Sequence, residues 1–143
     1  MTEISFHFNV PDRTGYACRL LRKASRQGAR VVVAAPAVTL RELDRALWSF
    51  EPVEFVAHVL VKPGQAVPPR LQATPVWLAE AVAEVVHRDV LLNLGDEPPL
   101  GFESFARLIE IVTTDEDDRA NARRRWKHYA SRGYALQRHE VAA

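Results

Sequence analysis

The hydrophobic residues change their period along the chain, and each change marks an element. Ile4 to Val10 (ISFHFNV) alternates, with Ile4, Phe6, Phe8 and Val10 on one side, the period-two signature of a strand. Pro11, Asp12 and Gly15 make a turn. From Tyr16 to Gln27 the apolar positions Ala17, Leu20, Leu21 and Ala24 follow i, i+3, i+4, i+7, which predicts a helix ended by Gly28. Arg30 to Ala35 (RVVVAA) is an unbroken β-branched run of the kind buried on both faces of a parallel sheet. Thr39 opens T-L-R-E, a capping box with Glu42, ahead of the buried stripe Leu40, Leu43 and Leu47. Strand, helix, strand, helix is how an α/β domain begins.

The pattern continues with shorter pieces. Phe55 to Val61 predicts a strand, and Lys62 to Arg70, with three prolines and a glycine, an exposed loop. That loop is no domain boundary, because too little chain follows it to make a second core. Pro75 to Ala79 is a short strand, Glu80 to Val86 fits either a helical turn or a loop, and Asp89 to Leu94 is a buried strand. Phe102 to Ala106 can form a short helix. Arg107 to Thr113 alternates Leu108, Glu110 and Val112 against Ile109 and Ile111, a strand again. Tyr134 to Gln137 can add a last one.

The most informative stretch is Asp115 to Arg138, and most of it is written as a helix. That helix opens with acids, runs through Ala- and Arg-rich sequence without Gly or Pro, and stops at Gly133. Asp117 or Asp118 can cap the first turn, and the acids complement the positive end of the helix dipole. Arg132 stands at the negative end, and Gly133 can take the left-handed conformation that stops a helix. Arg119, Arg123 and Trp126 fall at i, i+4 and i+7, so two guanidiniums and an indole share one face. Ala122, Tyr129 and part of Trp126 lie about a quarter turn away and suit packing on the body. Guanidiniums grip carboxylates or phosphates through paired hydrogen bonds, and an indole beside them is a flat apolar wall. A solvated basic helix with one core tryptophan has the same spacing, and direct nucleic-acid binding is a third reading.

Composition narrows the field. The chain has 143 residues, one domain's worth, with 48% hydrophobic and 26% charged residues and a formal net charge of +1. Positive charge is local: Arg119, Arg123, Arg124, Arg125, Lys127 and Arg132 crowd one segment. The single cysteine, Cys18, allows no internal disulfide and no multi-cysteine metal site, and its helical position suits a small buried residue. The N-terminus has no signal-peptide pattern and no stretch approaches a membrane span, so a cytoplasmic location with no membrane contact is expected. The first strand–turn, VPDRTGY, has a single glycine, and neither G-x-G-x-x-G nor G-x-x-x-x-G-K-[ST] occurs, so no loop can cradle a pyrophosphate. His7, His58, His87, His128 and His139 have no metal-ligand spacing, and no serine stands in a G-x-S-x-G elbow. No catalytic residue, metal or cofactor is expected, which favours a binding module over a small α/β hydrolase or nuclease, the third-ranked reading.

Several segments together resemble the chi subunit of the bacterial DNA polymerase III holoenzyme, a clamp-loader accessory subunit. They are LDRALWSF (Leu43 to Phe50), EFVAH (Glu54 to His58), DVLLNL, and FESFARLIEIV followed by ARRRWKHYASRGYALQ (Ala122 to Gln137). The likeness runs through almost the whole chain in the same order and is weakest between Lys62 and Val86. It implies one α/β domain over residues 1–143, a three-layer Rossmann-like sheet, mostly parallel, with helices on both faces and no nucleotide-binding loop. It also implies a non-enzymatic adaptor that binds the acidic, Phe-ended C-terminal tail of single-stranded DNA-binding protein. The psi subunit would link it to the clamp loader, a helicase is a further partner to consider, and DNA would be met only indirectly. Carried onto this chain, Arg123 meets the terminal carboxylate and Arg119 stands where the family often has lysine. Trp126 lines the pocket, Trp48 matches the tryptophan of L-D-x-A-L-W, and Thr114 and Arg138 align near the pocket. Phe55 matches a phenylalanine that contacts psi and alternative partners.

Overall fold

The computed structural model describes residues 1–49, 56–82, 85 and 87–141. Its elements follow the predicted order. They are β1 (Glu3–Val10), α1 (Arg13–Arg26), β2 (Val31–Ala34), α2 (Ala37–Ser49), β3 (His58–Val61), β4 (Val76–Ala79), β5 (Val90–Asn93), β6 (Arg107–Thr113), α3 (Glu116–Ser131) and β7 (Leu136–Glu140). The seven strands form one sheet in the order β3-β4-β2-β5-β6-β1-β7, and every pairing is parallel. Val31, Val32, Val33 and Ala34 are all buried, as a β-branched run covered on both faces should be.

Chain direction decides which face each helix covers. Parallel crossovers are right-handed, so helices whose crossovers move the same way along the sheet share a face. From β1 to β2 to β3 the chain steps toward the β3 edge, which puts α1 and α2 on one side. From β6 to β7 it steps the other way, which puts α3 on the opposite side. The two cores record this. Leu21, Leu40, Leu43 and Leu47 pack with Ile109 and Ile111, whereas Ala122 and Tyr129 pack with Leu108 and Val112. The alternation within β6 is therefore real, and Phe102 and Phe105 complete the α3 side.

Three local expectations need correction. Ile4, Phe6 and Phe8 do face α3, but Val10 lies in the core beneath α1 and α2. The β1–β6 register slips between His7 and Val10, and Asn9 is left-handed with φ 64°. One extra residue reverses the alternation, as a β-bulge does. The predicted capping box at Thr39 does not form. The helix already begins at Ala37, and Leu40 N–H bonds the Pro36 carbonyl at 3.0 Å, so Thr39 sits inside the first turn. The expected helix at 102–106 is a single 3-10 turn, Phe102–Ser104.

Candidate functional site

The α3 helix is fixed to the sheet from within. Its N-cap is Asp115, whose carboxylate accepts the Asp118 N–H at 3.0 Å, so neither Asp117 nor Asp118 plays that part. Asp118 turns back instead. It accepts the Thr113 N–H at 2.7 Å and pairs with Arg13 at 2.5 Å, tying α3 to α1 across the end of the sheet. Burial pushes its carboxyl up, but the Thr113 N–H and the Arg13 guanidinium outweigh that and hold its pKa below the ordinary value.

Deeper in, Glu110 of β6 is fully buried and receives three partners. Arg125 Nε donates at 3.0 Å, the Tyr129 hydroxyl at 2.5 Å, and Asn93 Nδ2 at 3.0 Å. Burial raises the Glu110 carboxyl above its usual range against the pull of Arg125, and burial with the Glu110 charge raises the Tyr129 hydroxyl. Arg125, one of the positive residues that crowd this segment of the sequence, is only 2% exposed and belongs to this network. No signal in the sequence pairs residues 110 and 125. The one hint is a charged residue at an inward position of an otherwise apolar strand.

The outer surface of the same helix borders a hollow of about 460 Å³ between α3 and the β1–β7 end of the sheet. Arg119, Arg123 and Trp126 line it from the helix, and Arg138 lines it from β7. Phe6 and Phe8 of β1 make its floor. Phe6 meets Trp126 edge to face with ring centroids 5.1 Å apart, and the Arg138 guanidinium lies 4.8 Å over the Phe8 ring. The parallel register sets Arg138 beside Phe6 on the same face. The bulge in β1 falls just beyond Phe8, where Asn9 Nδ2 bonds Glu140 at 2.7 Å. Arg119 has a loose, exposed pair with Glu116 at 3.5 Å, while Arg123 has no ion-pair partner among the described residues. Among the described residues no carboxylate lines the hollow. A ligand with a carboxylate and an apolar ring would meet guanidiniums above and aromatic edges below.

Four sequence-predicted residues, Arg119, Arg123, Trp126 and Arg138, thus share one hollow. Two do not reach it. Trp48 is on α2, behind the opposite face of the sheet, 65% exposed and with its ring 5.3 Å from His58. Crossover handedness separates α2 from α3, and a local L-D-x-A-L-W match carries no trace of that. Thr114 is exposed in the link before α3 and is absent from the walls. Phe55 lies outside the described residues. Sequence reasoning missed Phe6 and Phe8 as a floor, although their alternation had placed them on one side. Arg124 and Lys127 are exposed beyond the walls. Among the described residues no three His, Cys, Asp or Glu side chains gather as a metal site, and no helix is long and apolar enough to cross a membrane.

The molecule is thus an open, all-parallel α/β domain with a cationic, aromatic-floored hollow between α3 and the β1–β7 end of its sheet. Residues 1–137 match the family model described as DNA polymerase III chi subunit, HolC. The DNA polymerase III subunit chi of Pseudomonas aeruginosa is 35% identical over 147 residues, covering 99% of this chain and 98% of that protein. The subunit chi of Haemophilus influenzae is 30% identical over 126 residues, covering 87% and 85%. The chain belongs to the DNA polymerase III chi subunit family, and with it to the accessory subunits of a replicative polymerase.

Proposed function

We propose that this chain is a non-catalytic adaptor whose hollow takes the acidic, aromatic-ended C-terminus of single-stranded DNA-binding protein and links it, through a psi subunit, to the clamp loader. The observation that carries this reading is the convergence of Arg119, Arg123 and Arg138 on a cavity floored by Phe6 and Phe8 and walled by Trp126. A free C-terminus ending in an aromatic residue presents a carboxylate and a ring a few ångströms apart, and the hollow offers partners for both. Arg123, without a competing carboxylate, is the clamp for the terminal group. The link to psi, and any helicase contact, rests on family membership, since Phe55 falls outside the described residues.

A charged hydrogen bond contributes about 1.5–3 kcal/mol. With one such clamp and one buried ring, a tail should bind at about micromolar strength, or about 8 kcal/mol. Titration of the chain with a peptide of that tail tests the reading: micromolar binding that weakens as salt rises is expected, and no binding at millimolar peptide defeats it. Direct binding of single strands by the basic helix makes a different forecast, a steep salt slope worth several phosphates with no partner protein present.

A further inference from the structure

A second concavity, of about 670 Å³, opens where β2 and β5 part, at the carboxyl ends of the strands. The chain leaves these neighbours in opposite directions, β2 toward the β3 edge and β5 toward the β7 edge, the position where open α/β sheets hold ligands. Among the described residues it shares no lining residue with the arginine hollow. Its walls are apolar at Ala35, Pro36 and Val82, and one side is the loop GDEPPLG, residues 95–101. Leu100, in that loop, is 92% exposed.

The loop does not owe its shape to Leu100. The buried network described above grips it from below: Asn93 Nδ2 donates to the Glu97 carbonyl at 3.0 Å and Arg125 Nη1 to the Asp96 carbonyl at 3.1 Å. Gly95 N–H bonds Asn93 Oδ1 at 2.9 Å, and Phe102 N–H bonds the Pro99 carbonyl at 3.3 Å. Gly101 closes it at φ +84°, with Val82 only 3.1 Å from where a Cβ would stand. Two prolines stiffen what lies between. A leucine held in water on a loop fixed from beneath adds nothing to this domain's own core, and a rigid apolar anchor loses little freedom on binding.

Charge selects the occupant. Among the described residues Glu80, Asp96 and Glu97 line the cleft and no cation does, so phosphates and acidic tails are repelled there. We infer that the cleft docks a basic, leucine-bearing segment of a partner protein, its aliphatic side chains on Pro98, Pro99 and Leu100 and its Lys or Arg heads on Glu80, Asp96 and Glu97. The domain then carries two concave sites of opposite sign, and this second one stands independently of the tail-binding reading.

The test is a titration of the isotope-labelled full chain, followed by backbone amide shifts, with an eight-residue peptide of leucines flanked by lysines and arginines. A leucine-free polylysine of equal length, a single-stranded oligonucleotide and dilution of the protein alone serve as comparisons. Shifts should concentrate at Ala35, Glu80 and residues 95–101, and Glu97→Lys and Leu100→Ser should each weaken binding at least fivefold. Both side chains are exposed or rim positions, so both variants should fold, and both should keep wild-type affinity for the acidic tail peptide at Arg123. The inference is overturned if polylysine binds as well, if the shifts scatter over all carboxylates, or if either variant titrates like wild type. It is equally overturned if the oligonucleotide occupies the loop, or if dilution alone moves the same amides and so reveals a second copy of the chain there.

Discussion

Arg123 and Arg125 are two residues apart on one helix and live in different worlds. Arg125 turns inward, is 2% exposed, and is committed to Glu110 and the Asp96 carbonyl. Arg123 turns outward over Phe6, Phe8 and Trp126 and holds no carboxylate among the described residues. The same guanidinium serves the fold in one case and is left available in the other. The difference lies in the desolvation already met: a buried charge must have its partner inside the protein, whereas a rim charge can wait for one from outside. Stability and binding should therefore separate cleanly between the two faces of α3.

The largest effect is expected on the inner face. Glu110→Gln leaves Arg125 buried beside a neutral group and should cost about 3–5 kcal/mol in chemical denaturation. Replacing both partners, Glu110→Leu with Arg125→Met, should recover much of that loss, which separates an unpaired charge from a simple packing defect.

On the outer face, Arg123→Ala should leave stability within about 0.5 kcal/mol. Its affinity for the acidic tail peptide should fall by about 1.5–3 kcal/mol, roughly ten- to a hundredfold. Isothermal titration beside a denaturation curve reads both. Trp126 stands between the two regimes, half-buried against Phe6 and lining the hollow. Trp126→Ala should lower stability and affinity together, each by about 1 kcal/mol, and a change in only one would move the boundary between the faces.

The smallest effect concerns pH, on the α1 side of β1. The Tyr16 hydroxyl lies 2.5 Å from His7 Nδ1. Burial, then the charges of His139, Arg107 and Lys23, bring the His7 pKa down to about 4 from an ordinary 6.5. The unfolded chain therefore binds the extra proton first, and stability is complete above pH 6.5 and falls as the pH drops toward 4. Allowing for solvent screening at this half-buried site, the loss should be about 1 kcal/mol. His7→Gln keeps an acceptor for Tyr16 and should flatten that slope relative to the wild type, leaving the hollow's affinity at pH 7.5 unchanged.

Much of this was legible in the chain. Among the described residues, period-two alternation, unbroken apolar runs and helical stripes placed the strands and α-helices within a few residues, because one-sided and two-sided burial each leave their own pattern. The Arg119–Arg123–Trp126 face was legible too, since helical spacing is local. What was hidden depended on chain path. Trp48 and Trp126 look like neighbours in chemistry, yet the reversal of direction across the sheet puts them behind different faces. Val10 was misplaced by a one-residue bulge, and nothing set Arg125 apart from the other positive charges of its segment because its partner lies fifteen residues back. Asp115 caps α3 because the helix begins at Glu116, earlier than an Asp117 or Asp118 cap would set it, and Asp118 is taken by Thr113 and Arg13.

The central claim is that Arg123 recognises a free terminal carboxylate, and a two-by-two titration tests it most directly. Wild type and Arg123→Ala are each titrated with the tail peptide and with the same peptide amidated at its C-terminus. The account predicts that amidation weakens wild-type binding about tenfold or more, while the Arg123→Ala variant does not distinguish the two peptides. Equal losses on amidation in both proteins would contradict it, since the carboxylate would then be bound elsewhere.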